Sequence, residues 1–295
     1  MKEKMENNQK GIVYSLGAFI IWGLFPLYWV NLKGVPALEI VTHRIIWSFI
    51  FLFIFIGVSG RKKEFLDVFK NKKMMLYIFL AATFNCGNWL SYIFVVNSGR
   101  VLEASLGYFI NPLLLILAGR FIFNEKLNSF QKSAITLAAL GVIYITVTYQ
   151  KLPIYSLIIA GTFTGYSITK KKIQLDSVIA LTIETLIYFP VAILYLVSLG
   201  GGAGAVGELN TKIFLAGAGI VTVIPLFLFS TGAKLAKLSS IGFFQYLTPT
   251  IVLILGVFVF GEEFTTTHGV TFSLIWSGLM VYTYSILRKP PKIKS

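Results

Sequence analysis

At 295 residues the chain is long enough for two soluble domains, yet only 13% of it is charged, where a soluble domain carries roughly 25%. Hydrophobic residues make up 56%, with 26 Phe and 14 Tyr, and surface-to-volume scaling gives a water-soluble globule too little interior to hide them. A soluble enzyme, a disordered scaffold and a disulfide-stapled module are excluded, and a polytopic membrane protein remains.

The chain opens on a polar head, MKEKMENNQK, followed by an apolar run too long for a signal peptide and with no small-residue cleavage site after it. That run is read as a retained first helix. Crossing roughly 30 Å of hydrocarbon takes about 20 apolar residues. The segments that satisfy this are 11–31, 38–57, 74–96, 103–123, 129–148, 153–170, 177–199, 212–233, 238–260 and 268–287. None shows the in/out alternation of a barrel strand, so the expected fold is all-α with ten transmembrane helices. The sixth span ends in Lys170-Lys171-Lys172, which are expected to snorkel to the interface.

Alternating ten spans from a cytoplasmic N-terminus puts 21 of the 26 Lys and Arg on the cytoplasmic side and only Lys33, Arg100, Lys151 and Lys212 opposite. Arg44 is left inside a span. The positive-inside rule therefore places both termini on the cytoplasmic side, and it explains the net charge of +14 without nucleic acid as a partner. Residues 61–73 set Phe65, Leu66, Val68 and Phe69 among lysines, the pattern of a short amphipathic helix lying on the inner leaflet. GGGAGAVG at 200–207 lacks the strand and the distal acid of a dinucleotide fingerprint and reads as a flexible linker.

A weak duplication runs through the chain. Pro112 precedes Glu125 in PLLLILAGRFIFNE as Pro249 precedes Glu262 in PTIVLILGVFVFGE, with an offset of 137 residues. Halves of 1–150 and 151–295 then hold five helices each. Five is odd, so the halves insert in opposite senses: two inverted-topology five-helix repeats, a plan of secondary transporters that places the substrate near the midplane between them.

The runs ALEIVTHRIIWSF (37–49), GNWLSYIFVVN (87–97), LEASLGYFINPL (102–113) and IGFFQYLTPT (241–250) resemble the RarD-type permeases of the EamA branch of the drug/metabolite transporter superfamily. The resemblance covers nearly all of residues 10–290. It implies the same ten-helix inverted repeat, a plasma-membrane location and transport of small metabolites or drugs. It supplies no substrate.

Charges deep in a span are costly and are paired or line water. Arg44 and Glu184 lie on equivalent helices of the two halves, each roughly 10–12 Å deep from opposite faces. They read either as a packing ion pair or as a substrate-carboxylate clamp on Arg44 with Glu184 as a proton or cation site. His43 is a titratable neighbour or a packing residue. Glu103 caps its helix or gates it. Glu125 and Glu262 anchor the helices that follow them. Trp22, Asn85, Asn88, Trp89, Ser105, Tyr108, Asn111, Tyr166, Gln245, Tyr246 and Thr248 line a cavity or hydrogen-bond between helices; Pro112 and Pro249 each free a carbonyl one turn earlier. Gly269-x-x-x-Ser273-x-x-x-Ser277 and Gly161-x-x-x-Gly165 are close-packing surfaces within the chain or in a homodimer. Cys86 is a small core residue.

The expected function is secondary transport by alternating access, as exporter or exchanger, driven by protons or counter-substrate. The chain carries no P-loop for ATP. One Cys, two separated His and no Asp within a span argue against an enzyme and against any metal or cofactor. A receptor that binds without flux is the alternative reading.

Overall fold

The structure is a computed structural model that describes residues 2–97, 101–148, 150, 154–261 and 263–287; within it the side chains of 2–5, 93, 96, 97 and 101–105 lie outside the description. The described residues form helices and short connections. Their order is α1 (Lys2–Trp29), α2 (Ala37–Val58), α3 (Lys62–Val68), α4 (Lys72–Asn97), α5 (Val101–Phe121), α6 (Ser129–Thr148), α7 (Ile154–Lys172), α8 (Ser177–Ser198), α9 (Gly202–Val206), α10 (Leu209–Leu235), α11 (Leu238–Phe244), α12 (Leu247–Phe258) and α13 (Thr266–Leu287). Among the described residues seven spans are long and apolar enough to cross a membrane, α11 and α12 counting as one. The lysines that begin α4 and end α7, with the Asn and Thr inside them, dilute two of the other expected spans.

Packing is dominated by contacts between the two halves of the sequence. Helix α1 lies on α10 and α12, and α7 lies on α4 and α5; α2 contacts α10, and α4 contacts α8. These groups meet chiefly through α2 with α8 and α5 with α11, and more lightly through α10 with α7 and α8 and α2 with α4; α6 and α13 pair with each other beside them. One set is therefore α1, α2, α10 and α11/α12, the other α4, α5, α7 and α8, and each draws helices from both halves. The largest buried cluster crosses the divide, with Phe19, Leu52, Ile78, Tyr166, Ile179, Phe229 and Ile241 in one core.

Two elements differ from the sequence reading. The 200–207 stretch is a folded corner: Gly200, Gly201 and Gly202 all take positive φ, a conformation open to glycine at little cost, and α9 follows. It packs onto α2, because a Cβ at Gly202 would meet Glu39 Oε1 at 2.3 Å and one at Gly204 would meet His43 Cε1 at 2.6 Å. The Ala203 N–H donates to Glu39 at 2.5 Å. The ninth span is broken at Gln245-Tyr246, four residues before Pro249, whereas α5 runs unbroken through Pro112. Helix α3 is amphipathic as read, with Phe65 and Val68 buried and Leu66 and Phe69 exposed. Between α6 and α13 the close approach uses Gly141 and Gly278, and Ser273 of the expected small-residue stripe faces out.

Candidate functional site

Arg44 sits in the second turn of α2 and is anchored from several helices. Its Nε donates to Thr222 Oγ1 of α10 at 2.9 Å. The guanidinium lies 4.1 Å from the centre of the Trp89 ring of α4 and 5.4 Å from that of Trp29 of α1. Tyr108 of α5 lies within electrostatic reach of it, and the Tyr108 ring meets Tyr92 edge-on at 5.9 Å. Thr222 and Trp29 belong to one helix set, Trp89 and Tyr108 to the other, so Arg44 spans the divide. Among the described residues no carboxylate pairs with it. A desolvated cation over Trp gains about 2 kcal/mol, and that geometry leaves the terminal N–H groups for an anion.

Below this cage lies a layer of rings. Seven residues along α10 from Thr222, about 10 Å and on the same face, Phe229 contacts Trp22 at 5.5 Å and Phe163 at 5.3 Å and stacks on Tyr166 at 6.0 Å. Phe19 closes the group at 6.0 Å from Trp22. Aromatic rings from α1, α7 and α10 thus separate Arg44 from everything deeper.

Beyond the rings Glu184 of α8 is held by Lys170 of α7 at 2.6 Å, both withdrawn from solvent. The sequence reading set Glu184 opposite Arg44 and let Lys170 snorkel; the structure does neither. The reason is side-chain direction. Helical side chains tilt toward the helix N-terminus, so Lys170 leans back into the bundle and Glu184 leans toward the lysine-rich end, and the two converge across the α7–α8 hairpin. Glu184 Oε2 and the Tyr166 hydroxyl are buried without a partner.

The lysine-rich end is fastened across the two sets. Lys171 of α7 donates to the Ala236 carbonyl and, at 3.4 Å, to that of Ala233. Lys234 of α10 donates to the Leu175 carbonyl at 2.5 Å and to Ser177 Oγ at 3.0 Å, and Thr231 donates to Ser177 at 3.0 Å. Glu125 does not anchor the following helix: it reaches the second half and accepts from the Leu238 and Ser239 N–H groups at 2.8 and 2.9 Å and from the Ser239 hydroxyl at 2.7 Å, capping α11. At the rim Asp176 caps α8, accepting from the Val178 N–H at 2.9 Å, and pairs with Arg61 at 3.1 Å. Burial pushes its carboxyl up, but Arg61 and the Ile179 and Val178 N–H groups outweigh it, so Asp176 titrates below the ordinary carboxylate range.

Of the residues picked out from sequence, Arg44, Trp89 and Tyr108 come together. Trp22 and Tyr166 belong to the ring layer. Asn88 ties α4 to α7 through the Ile159 carbonyl at 2.8 Å, and Asn85 is half-buried one turn away. Tyr246 donates to the Phe109 carbonyl at 3.2 Å, and Thr248 to that of Phe19 at 3.0 Å; Asn111 and Gln245 are buried with one oxygen each unpartnered. These four sit in the packing of α5, α11 and α12, apart from Arg44. His43 is buried 3.9 Å from Glu39 beneath α9. The side chains of Glu103 and Ser105, and Glu262 altogether, lie outside the described residues. Sequence reasoning missed Lys170, Lys171, Lys234, Thr222, Trp29 and Glu39.

The comparisons agree on one group of proteins. Residues 9–147 match the EamA-like transporter family. An uncharacterized transporter of Bacillus subtilis, YojE, is 43% identical over 94% of this chain and 94% of its own. Protein RarD of Salmonella typhi is 39% identical over 94% and 95%. A chain of known crystal structure, 15% identical, shares the fold with a TM-score of 0.75 over 96% of this chain and 100% of that one. The apolar helices and these relatives make it a multi-pass bacterial membrane transporter, and the chain belongs to the RarD-type permeases of the EamA-like transporter family.

Proposed function

We propose that the chain moves a small carboxylate-bearing metabolite or drug with an apolar portion by alternating access, as an exporter or exchanger, with Arg44 as the substrate anchor. The carrying observation is a half-buried guanidinium bridging the two helix sets, stacked on Trp89 and tied to Thr222, with no protein carboxylate among the described residues to neutralise it. A substrate carboxylate supplies the missing anion through two parallel N–H···O bonds, and Tyr92, Tyr108, Trp89 and Trp29 give its apolar portion flat, rigid walls.

Ten spans in two inverted halves, 1–150 and 151–295, with both termini cytoplasmic, fit the exchange symmetry of the packing: α1 on α10 matches α7 on α4, and α1 on α12 matches α7 on α5. The family match also ends at residue 147, near the proposed boundary. The moving units are then the two mixed helix sets. With the lysine-rich end fastened and Arg44 above the ring layer, the structure corresponds to a conformation closed toward the cytoplasm. Glu184 is the coupling proton site and Lys170 its resident counter-cation, exchanging partners when that end opens.

The test begins with a thermal-shift screen of amino acids, organic acids and drugs, because ligands stabilise the fold they bind. Counterflow of the best ligand in proteoliposomes follows. Arg44→Ala and Glu184→Gln are expected to abolish exchange while the protein still reaches the membrane. Wild-type exchange in both variants overturns the assignment; ligand binding with no counterflow in the parent protein would establish the receptor reading instead.

A further inference from the structure

Away from Arg44, the first turns of α4 and the last turn of α7 line an open pocket of about 310 Å³. Its lining is Lys73, Met74 and Tyr77 from α4 with Lys171, Lys172 and Gln174 from α7 and the residues after it. Three lysines contribute to one lining, and no carboxylate is part of it. Lys171 is fixed at the back by the carbonyls of Ala236 and Ala233, and the nearest acid, Glu125 at 3.8 Å, is already occupied by three donors from Leu238 and Ser239. Lys73 and Lys172 are exposed and make no ion pair among the described residues. Two unpaired ammonium groups on long, flexible stems are thus available to an anion beside Lys171.

The surroundings decide which anion. Met74 is buried, and Tyr77 is half-buried. Helical spacing puts Leu76, Tyr77 and Leu80 on the Lys73 face of α4, and Leu76 is exposed. An apolar strip thus leads away from the lysines along the outside of the bundle. Helix α3 precedes this corner, with Leu66 and Phe69 exposed beside Lys62, Lys63 and Lys70, the pattern of a helix that lies at the membrane interface. Basic pockets between spanning helices at this depth hold anionic headgroups.

The geometry points to a binding site for an anionic phospholipid, its phosphate seated among Lys73, Lys171 and Lys172 and one acyl chain lying over Leu76 and Leu80. Lys171 also fastens α7 to the α10–α11 corner, so the lipid reinforces the closed end.

The experiment titrates full-length detergent-solubilised protein with phosphatidylglycerol, phosphatidylcholine or inorganic phosphate and follows the thermal unfolding midpoint. Phosphatidylglycerol is expected to raise the midpoint saturably and the other two to leave it in place. The double variant Lys73→Gln/Lys172→Gln should weaken the apparent affinity roughly thirtyfold, from about 1 kcal/mol per basic residue near an anionic surface. Lys73→Arg/Lys172→Arg should bind like the parent. Lys62→Gln/Lys63→Gln, an equal loss of charge outside the cavity, should change little. Equal weakening in both Gln pairs would reduce the effect to diffuse surface charge and overturn the site. An equal shift with inorganic phosphate would make it a small-anion pocket, and an equal shift with phosphatidylcholine would make it generic lipid solvation; either defeats the proposal.

Discussion

Arg44 and Lys170 are both cations drawn into the bundle, which treats them differently. Lys170 is matched by Glu184 at 2.6 Å and cut off from solvent, with Tyr166 beside it. Arg44 is given aromatic faces, one hydroxyl and, among the described residues, no anion. A closed ion pair contributes little net stability once desolvation is counted, so its presence argues for a state in which the partners separate. An unmatched guanidinium argues for an anion that comes and goes. The rings of Trp22, Phe163, Tyr166 and Phe229 pack against one another, and Tyr166 also lies beside Lys170. In the proposed cycle, substrate attraction and conformational locking fall to separate charges.

The largest effect should come from breaking the inner pair on one side only. Lys170→Met leaves Glu184 buried without its cation, which costs about 3–5 kcal/mol, and should sharply lower the unfolding midpoint in detergent. Adding Glu184→Leu removes the orphan and should recover most of that stability. If the double variant is no more stable than Lys170→Met alone, the pair is not the closed contact described. The same double variant should carry no proton-driven flux, which separates stability from coupling.

Sharpening the other side of the comparison calls for a smaller cut. Trp89→Leu keeps an apolar wall but removes the face under Arg44, and should weaken binding of the ligand found by screening roughly tenfold to thirtyfold, for about 2 kcal/mol of desolvated cation–π attraction. Arg44→Lys keeps the charge and loses both the planar fork and the stack, so it should bind more weakly than Trp89→Leu. Ligand affinity measured by isothermal titration checks both, and an unaltered constant in Trp89→Leu removes the aromatic cage from the site.

The layout of the helices was legible because hydropathy over 20-residue windows registers a physical necessity: backbone groups in hydrocarbon must pair within their own helix. Arg44 and Glu184 stood out for the same reason, since a charge inside such a window is conspicuous. Their partners were not. Lys170 belongs to a run of three lysines at a helix end, and only the backward tilt of its side chain distinguishes it from a snorkelling residue. Glu125 was expected to hold its neighbour in sequence, yet it caps α11 more than 110 residues away, a pairing that no local pattern encodes. The glycines at 200–202 resemble a linker in composition; their positive φ values and the Glu39 carboxylate they cover become visible only in the fold. Trp89 beside Arg44 joins helices from opposite sets, and one-dimensional spacing is silent on that.

The fastening between the sets offers a finer test. Lys234→Met removes donations to Leu175 and Ser177, each a charge-assisted bond worth about 1.5 kcal/mol. In a Cys86→Ser background, a cysteine placed at the buried Ala180 should then react with a maleimide about tenfold faster, because the closed end opens more often. Unchanged labelling would mean that Lys171 and Thr231 hold the end without it.

The smallest effect belongs to the rim. Asp176 is both the cap of α8 and the partner of Arg61, and its carboxyl titrates below the ordinary range. A carboxylate depressed in the folded state contributes stability that is present above its unfolded pKa and lost as pH falls through the folded one. Asp176→Ala should therefore cost about 1 kcal/mol near neutral pH, mostly the lost cap, because the pairing with Arg61 is partly screened by solvent. Asp176→Asn keeps an oxygen for the Val178 N–H and should cost less at neutral pH, while the parent loses its advantage over it on acidification below about pH 4. Thermal melts of the three proteins across that range measure the difference directly. A gap between parent and Asn variant that persists undiminished to pH 2 would assign the effect to shape at the cap and take the charge out of it.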